Sequence, residues 1–446
     1  MKNWSFSYAV VKQIVRSAFW LSHKKITIIG LSRIPKDKPI IFAPNHQNAL
    51  MDPLAILCTN YTQPVWLARA DIFKLKAARP VLRFLKIMPV YRIRDGKENL
   101  GENEKIFSLA IEVLEHKKQL ALFPEAAHSG RRQMLAHKKA IPRIAFLAEE
   151  KNNFNLDLQI VPVGIYYSHY WHFNRELILH YGEPIPVKKY QNDYLLNSHQ
   201  ATMALRNEIA KQVGKLTINI KSKAHYDNYE LIRELIGPAF ARNNKQCRSH
   251  VRNRFFNDQK LIQKLEEKEQ QHTNLFHQLH LRLDQLRQSL NEIKIEAQQF
   301  DKKKIKRLSL FGKSMFSILL LPIILIGFLL HVFPFILPRH YAQKKIKDPT
   351  FYSTFQFVVG LVTYLLLCLI LIFISLFYIS NLGWIIFLLV IFLLLGKLSY
   401  MALCYIQDLI SNYRLFIYKR QHKSEFENLI QTKNELKQQL LDLAQS

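Results

Sequence analysis

Cysteine, glycine and acidic side chains are scarce in this chain, and each shortage narrows what the protein can be. The 446 residues hold 4 cysteines, Cys58, Cys247, Cys368 and Cys404. No two are close enough for a Cys-x-x-Cys site, and two fall in apolar stretches. Reduced or buried thiols are therefore expected, without a disulfide framework or a cysteine zinc site. His128, His137, His169 and His172 show no ligand spacing such as His-Glu-x-x-His, so no metal and no cofactor is expected. Acidic residues number 34 against 63 Lys and Arg, a formal net charge of +29. Such an excess calls for an anionic partner: nucleic acid, lipid headgroups or a phosphorylated substrate. No helix-turn-helix, zinc-finger or RNA-binding signature is visible, which argues against nucleic acid. Anionic membrane lipids fit better, because the basic clusters flank apolar segments.

A long apolar run is also missing from the first two thirds of the chain. Hydrophobic residues make up 49% of the whole, and they concentrate between 315 and 404. At the N-terminus, Tyr8, Val10, Val11, Ile14, Val15, Phe19 and Trp20 are interrupted by Lys12, Gln13 and Arg16. No small-residue cleavage site follows. Residues 1–24 are expected to form an amphipathic helix on a membrane surface; an ordinary docking helix is the plainer reading.

From 25 to 224 short apolar runs alternate with amphipathic stretches. Residues 39–43, 119–123 and 159–165 read as strands, and 103–116 and 141–149 as helices. That alternation predicts an α/β domain with a mostly parallel or mixed sheet and flanking helices. A helical, coiled-coil-like segment is expected at 225–307, where Leu279, Leu283, Leu286, Leu290, Ile293, Ala297 and Phe300 form a heptad seam. A second seam, Phe426, Leu429, Leu436, Leu440 and Leu443, lies in a C-terminal helix expected at 413–446. The two seams could meet each other, dock on the α/β domain, or join two copies in a homodimer.

Between the seams lie the membrane candidates. Residues 356–404 predict a helical hairpin, each arm long enough to span about 30 Å, split at Ser380 and Asn381. Residues 314–337 are apolar but broken by Pro322, Gly327 and Pro334, a re-entrant or transmembrane segment. Basic clusters stand on both sides of it (Lys302, Lys303, Lys304, Lys306, Arg307 and Lys313, then Arg339, Lys344, Lys345 and Lys347). A third, Arg414, Lys419, Arg420 and Lys423, follows the hairpin. All three fall on one side of the membrane only if 314–337 enters and returns, which is the reading preferred here. That side is expected to be cytoplasmic, at a cell (inner) membrane, with the α/β domain on it.

The densest chemical signal is Phe42-Ala43-Pro44-Asn45-His46, followed by Asp52. A strand-like run ends in a Pro-Asn turn and presents a histidine, the natural general base near neutral pH. A carboxylate on its second nitrogen would fix the tautomer and stabilise the imidazolium. At about 100° per residue, a regular helix would point two side chains six apart in different directions, so the pair must meet across a turn. Taken alone, such a pair is common in folds that do no chemistry.

With its neighbours, the segment resembles the first motif of the glycerophospholipid (lysophospholipid) acyltransferase superfamily. That motif usually has four residues between His and Asp; five stand here, as in fungal-type glycerol-3-phosphate acyltransferases. Met88-Pro89-Val90-Tyr91-Arg92-Ile93-Arg94 resembles the second motif, Phe123-Pro124-Glu125 with Ser129 the third, and Val161-Pro162-Val163 the fourth. Ala126 replaces the usual glycine, tolerable if its φ is negative. His128 replaces the usual arginine, which Arg131 and Arg132 could supply instead. The resemblance covers roughly 25 to 186.

The resemblance implies that His46 and Asp52 are catalytic. It implies substrate contacts from Asn45, Arg92, Arg94, Glu125, Ser129, Arg131 and Arg132, with Pro124 and Pro162 shaping the pocket. The implied reaction moves a fatty acyl group from acyl-CoA or acyl carrier protein to a glycerol-phosphate lipid acceptor. That acceptor would be 1-acyl-glycerol-3-phosphate, giving phosphatidic acid, or glycerol-3-phosphate itself. The rival classes are a membrane scaffold on an inactive fold, and a binder of anionic polymers.

Overall fold

The computed structural model describes residues 4–76, 78–91, 101–171, 173–243, 251–294 and 307–445. Arg92, Arg94, His172, Cys247, Ala297, Phe300 and the lysines 302, 303, 304 and 306 lie outside the described residues. The chain divides into two units. One is Met1–Asn219 together with Asp348–Thr354; the other is Ile220–Lys347 with Phe355–Ser446.

The first unit is built on a mixed sheet of eight strands: β1 (His23–Ile29), β2 (Ile40–Pro44), β3 (Val65–Arg69), β4 (Ile87–Val90), β5 (Gln119–Ala121), β6 (Gln159–Tyr167), β7 (Arg175–Tyr181) and β8 (Ile185–Pro186). Their order is β1-β7-β6-β2-β5-β3-β4, with β8 also on β6. β2 is parallel to both neighbours, β5 and β6, and β3 to β4 and β5; β7 and β8 run antiparallel to β6. The helices are α1 (Phe6–Ser22), α2 (Met51–Thr59), α3 (Ala78–Phe84), α4 (Glu102–Glu115), α5 (Ala140–Lys151), α6 (Gln191–Leu196) and α7 (Ser198–Lys215).

All five residues of β2 are buried, as its unbroken apolar sequence requires of a strand covered on both faces. Ile41 and Ala43 point into a core with Ile111 and Leu114 of α4, Ile144 of α5 and Leu205 and Ile209 of α7. Alternate residues face the other way, where the Phe42 ring meets Tyr181 edge-on. Parallel strands flanked by helices leave their carboxyl ends open for a site, and the Pro44-Asn45-His46 turn stands at the end of β2.

Ser5 caps α1 by accepting a hydrogen bond from the Tyr8 N–H, a favoured use of serine. Tyr8 and Phe19 face inward, while Trp4, Phe6, Val10, Ile14 and Leu21 are exposed. Ile72, Leu75, Val81 and Phe84 are exposed as well. Phe84 lies 6.1 Å from the buried Tyr8 ring, so α3 packs beside α1.

The second unit begins with α8 (Tyr226–Asn243), α9 (Val251–Gln271) and α10 (Thr273–Glu292), which bundle with α15 (Lys423–Gln445). The two heptad seams meet here within one chain. Leu279, Leu283, Leu286 and Leu290 of α10 are buried, as are Phe426, Leu436 and Leu440 of α15. Arg282 reaches across to Glu435 at 2.9 Å. These leucines are covered within the chain, while Leu429 and Leu443 of the second seam stay half-buried. A polar knot ties three helices: Glu269 of α9 accepts from Tyr229 of α8 at 2.6 Å and meets His280 of α10 at 3.0 Å.

Three helical stretches, Leu310–Lys345, Pro349–Tyr378 and Leu382–Gln421, are long and apolar enough to cross a membrane. The first comprises α11 (Arg307–His331), a π-helical turn at Val332–Ile336 and α12 (Leu337–Lys345). The others hold α13 (Tyr352–Tyr378) and α14 (Leu382–Gln421). Along α11, Ser314 meets Tyr413, Phe316 meets Tyr405, and Ile323 accepts from Ser399. His331 then reaches Phe392 and stacks on Tyr364. Past the π-helical turn the contacts run back down α13: Tyr341 stacks on Phe355. The segment thus climbs to His331 and doubles back, with Pro334 in the turn. Gly327 allows the close approach, since a Cβ there would sit 1.6 Å from Ser399 Oγ; small residues serve this purpose in apolar helix pairs. The separate helix expected at 413–446 is corrected in part: α14 continues to Gln421, and the break falls at His422.

Candidate active site

Asp52 sits in the first turn of α2, and the chain between His46 and Met51 curls so that the two side chains meet. His46 Nδ1 lies 2.9 Å from Asp52 Oδ2. The same oxygen accepts the N–H groups of Gln47 and Asn48, each at 2.7 Å. Asp52 is fully buried. A buried carboxylate needs such partners, because unpaired it would cost several kcal/mol. With Nδ1–H donating to Asp52, the lone pair of His46 is on Nε2. The ring is stacked on Phe123 at 3.9 Å between centroids.

Asn45 locks the strand end. Its side chain donates to Ile165 O at 3.1 Å and accepts from Ile165 N at 2.7 Å, fully buried. It continues the β2–β6 ladder past Pro44, so it positions His46 and is closed to a substrate. Pro162 pairs with Ala43 in that ladder and forms part of the wall under the turn.

Glu125 also proves to be a structural anchor. Its Oε1 accepts from His46 N at 3.0 Å and its Oε2 from Leu135 N at 2.9 Å, and it is 2% exposed. Each oxygen takes one backbone donor, so the buried side chain ties two loops together. Burial pushes its pKa up to about 8, against the pull of the two N–H donors. Two further bonds bind the loops: Ser129 N donates to His46 O at 3.2 Å and Gly130 N to Gln47 O at 3.1 Å. The Ser129 hydroxyl donates to Arg131 O at 2.9 Å and shapes the next turn. Pro124 is buried, and its carbonyl accepts from Lys138 N at 2.7 Å.

Ala126 has φ +57°, so the condition for replacing glycine without strain is not met. An L residue in this left-handed region carries strain that glycine avoids. The two arginines proposed to replace the family's usual one part ways. Arg131 is exposed at the margin. Arg132 is buried, donates to Tyr167 O and Ser168 O, and lies over the rings of Tyr166 and Tyr170. Its guanidinium holds the carboxyl end of β6 rather than facing a substrate.

Several neighbours escaped the sequence reading. Tyr170 OH donates to Gln47 Oε1 at 2.7 Å, and Asn48 Nδ2 donates to Tyr170 O at 3.2 Å. Tyr167 is wholly buried; burial first, with the Asp52 carboxylate nearby, holds its phenol protonated well above the usual range. His128, expected on the surface or beside a substrate, stands edge-on to His46 with centroids 5.4 Å apart. Its ring also meets two residues of the distant Asp348–Thr354 segment. No pattern around Tyr167 or Asp348 would have marked them in advance; they are brought in by the fold.

The Acyltransferase family model matches residues 25–166, the stretch holding His46, Asp52 and Glu125. The chain is similar to a glycerol-3-phosphate O-acyltransferase 2 of Saccharomyces cerevisiae, 27% identical over 257 residues, 55% of this chain and 33% of that protein. It thus spans about a third of the yeast protein's length. It is also similar to a 1-acyl-sn-glycerol-3-phosphate acyltransferase of Borreliella burgdorferi, 22% identical over 223 residues, 48% of this chain and 81% of that protein. Among solved structures it resembles the 1-acyl-sn-glycerophosphate acyltransferase PlsC of Thermotoga maritima, with TM-score 0.34 and 22% identity, over 47% of this chain and 77% of that one.

Proposed function

We propose that this chain is a membrane-bound O-acyltransferase that esterifies a glycerol-phosphate acceptor with a fatty acyl group from a thioester. The observation that carries the reading is the His46–Asp52 pair, 2.9 Å apart, its carboxylate fully buried and its outer nitrogen left for a proton. His46 Nε2 takes the proton of the acceptor hydroxyl as that oxygen attacks the thioester carbonyl. Asp52 balances the imidazolium that forms. Collapse of the tetrahedral intermediate breaks the C–S bond, and the departing thiolate takes the proton back from His46. The new ester and free thiol are the products. The acceptor is itself the nucleophile and the thioester is already activated, so no Ser or Cys nucleophile is required.

The acceptor proposed is 1-acyl-glycerol-3-phosphate, yielding phosphatidic acid, with acyl-CoA or acyl carrier protein as donor. Glycerol-3-phosphate is the second reading. It is favoured by the five residues between His46 and Asp52 and by the longer similarity to the yeast protein. Membrane placement follows from the apolar helices and from the exposed apolar surface of α1 and α3, which suits the interface of a bilayer. The doubling back of α11–α12 supports a topology with all three basic clusters on the cytoplasmic face. Purified protein in lipid nanodiscs, given palmitoyl-CoA or palmitoyl acyl carrier protein with each acceptor in turn, tests the reading by thiol release. Release stimulated by one acceptor alone names it. Release by neither acceptor with either donor contradicts the proposal and favours a scaffold.

A further inference from the structure

The segment Asp348–Thr354 lies far along the chain from the catalytic motifs, yet it belongs to the first unit. It is anchored at several points. Asp348 Oδ1 accepts from Thr350 N at 2.9 Å and from the Thr350 hydroxyl at 2.5 Å. Its other oxygen, Oδ2, lies 3.4 Å from His128 Nε2 across 220 residues of sequence. Phe351 meets the same ring edge-on at 4.9 Å. Ser353 donates to Tyr170 O at 2.5 Å and accepts from the buried Arg175 at 3.1 Å. Thr354 Oγ1 accepts from Leu50 N at 3.1 Å. The segment therefore touches the loop after β5, the turn between His46 and Asp52, and the chain between β6 and β7.

We propose that this segment is a strap that completes the catalytic site, and that Asp348 is a positioning residue acting on His46 through His128. The inference rests on His46 being the base. His128 is the link because its ring packs against His46 on one side and is gripped by Asp348 and Phe351 on the other. It rides on a loop whose backbone is left-handed at both Ala126 and Gly130, so a second hold has an effect there. Asp348 can supply that hold because its own orientation is fixed by Thr350. The groups facing His128 are His46, Asp348 and Asp52; burial first and then His46 lower its pKa, and Asp348 opposes them. The strap runs directly into α13 (Tyr352–Tyr378), so the residue that sets His128 stands at the start of an apolar helix. Residues 1–219 alone would lack this wall.

The test uses the full chain in nanodiscs with Asp348→Asn and Asp348→Glu. Two quantities are read: acceptor-dependent thiol release against pH, and the pH midpoint of His128 modification by diethyl pyrocarbonate, followed by peptide mass spectrometry. For Asp348→Asn, kcat is expected to fall about tenfold, with KM for the acyl donor within about twofold, as a misplaced catalytic group requires. The His128 midpoint should move to lower pH, and Asp348→Glu should restore most of both. An unchanged rate profile and midpoint in Asp348→Asn would overturn the proposal. If the wild type transfers no acyl group, the functional reading fails by itself. The modification midpoint then still decides whether Asp348 holds His128: a shift keeps the strap, and its absence removes it.

Discussion

The loop after β2 and the loop after β5 each bring a buried carboxylate to His46, and they use it differently. Asp52 takes the imidazole itself, at 2.9 Å, with two backbone donors on the same oxygen. Glu125 takes the backbone of His46 with one oxygen and Leu135 with the other. The first loop is closed on itself within a few residues. The second crosses between loops, carries a strained Ala126, and is gripped from outside by Asp348. One carboxylate orients the ring proposed as the base, and the other holds the chain on which that ring is mounted. The donors on Glu125 are neutral N–H groups, and burial pushes it up to about 8.

The sharpest way to break this comparison is to remove each carboxylate. Asp52→Asn should lower kcat by about 10³ to 10⁴, since a neutral amide cannot balance the imidazolium that forms on His46. Circular dichroism and thermal unfolding should stay close to wild type. Glu125→Ala should cost about 10²-fold in kcat through displacement of His46. Unlike the first variant, it should also lower Tm, because two buried N–H groups lose their acceptor. A wild-type Tm in Glu125→Ala would end the distinction drawn here.

Glu125 also predicts a pH dependence. Its folded pKa is raised from 4.5 to about 8, so the folded state keeps a proton that the unfolded state has released. Its contribution to stability is full below about 4.5 and declines as pH rises toward 8. Glu125→Gln should flatten that decline when Tm is measured from about pH 5 to about pH 8. The smallest expected effect is at Ala126. Ala126→Gly should stabilise the protein by about 1 kcal/mol by relieving the positive φ, with activity within about twofold. Thermal unfolding checks it, and destabilisation would show that the strain is absent.

The same contrast marks what the sequence disclosed. β2, β5 and β6 were legible because their apolar runs are short, dense and bounded by Pro and polar residues. His46 and Asp52 were legible because their pairing depends on a local turn. The roles of Asn45, Glu125 and Arg132 were not, since a polar side chain beside a motif looks alike whether it faces a ligand or a backbone amide. Only the register of β2 against β6 shows that Asn45 is spent on Ile165. The heptads announced helices, but periodicity does not say whether a seam is filled by the same chain or another. Asp348 was least accessible of all. An Asp-Pro-Thr helix start can be read locally, while its meeting with His128 depends on the path of the chain through the whole second unit.

The central claim is that His46, oriented by Asp52, removes the acceptor's proton. It is tested most directly by acceptor-dependent thiol release from palmitoyl-CoA in wild type and His46→Ala, both reconstituted in nanodiscs and matched for folding by thermal unfolding. The account predicts that release in the variant falls to the acceptor-free background. Release at the wild-type rate in a folded His46→Ala protein would contradict it, and would place the base elsewhere in the molecule.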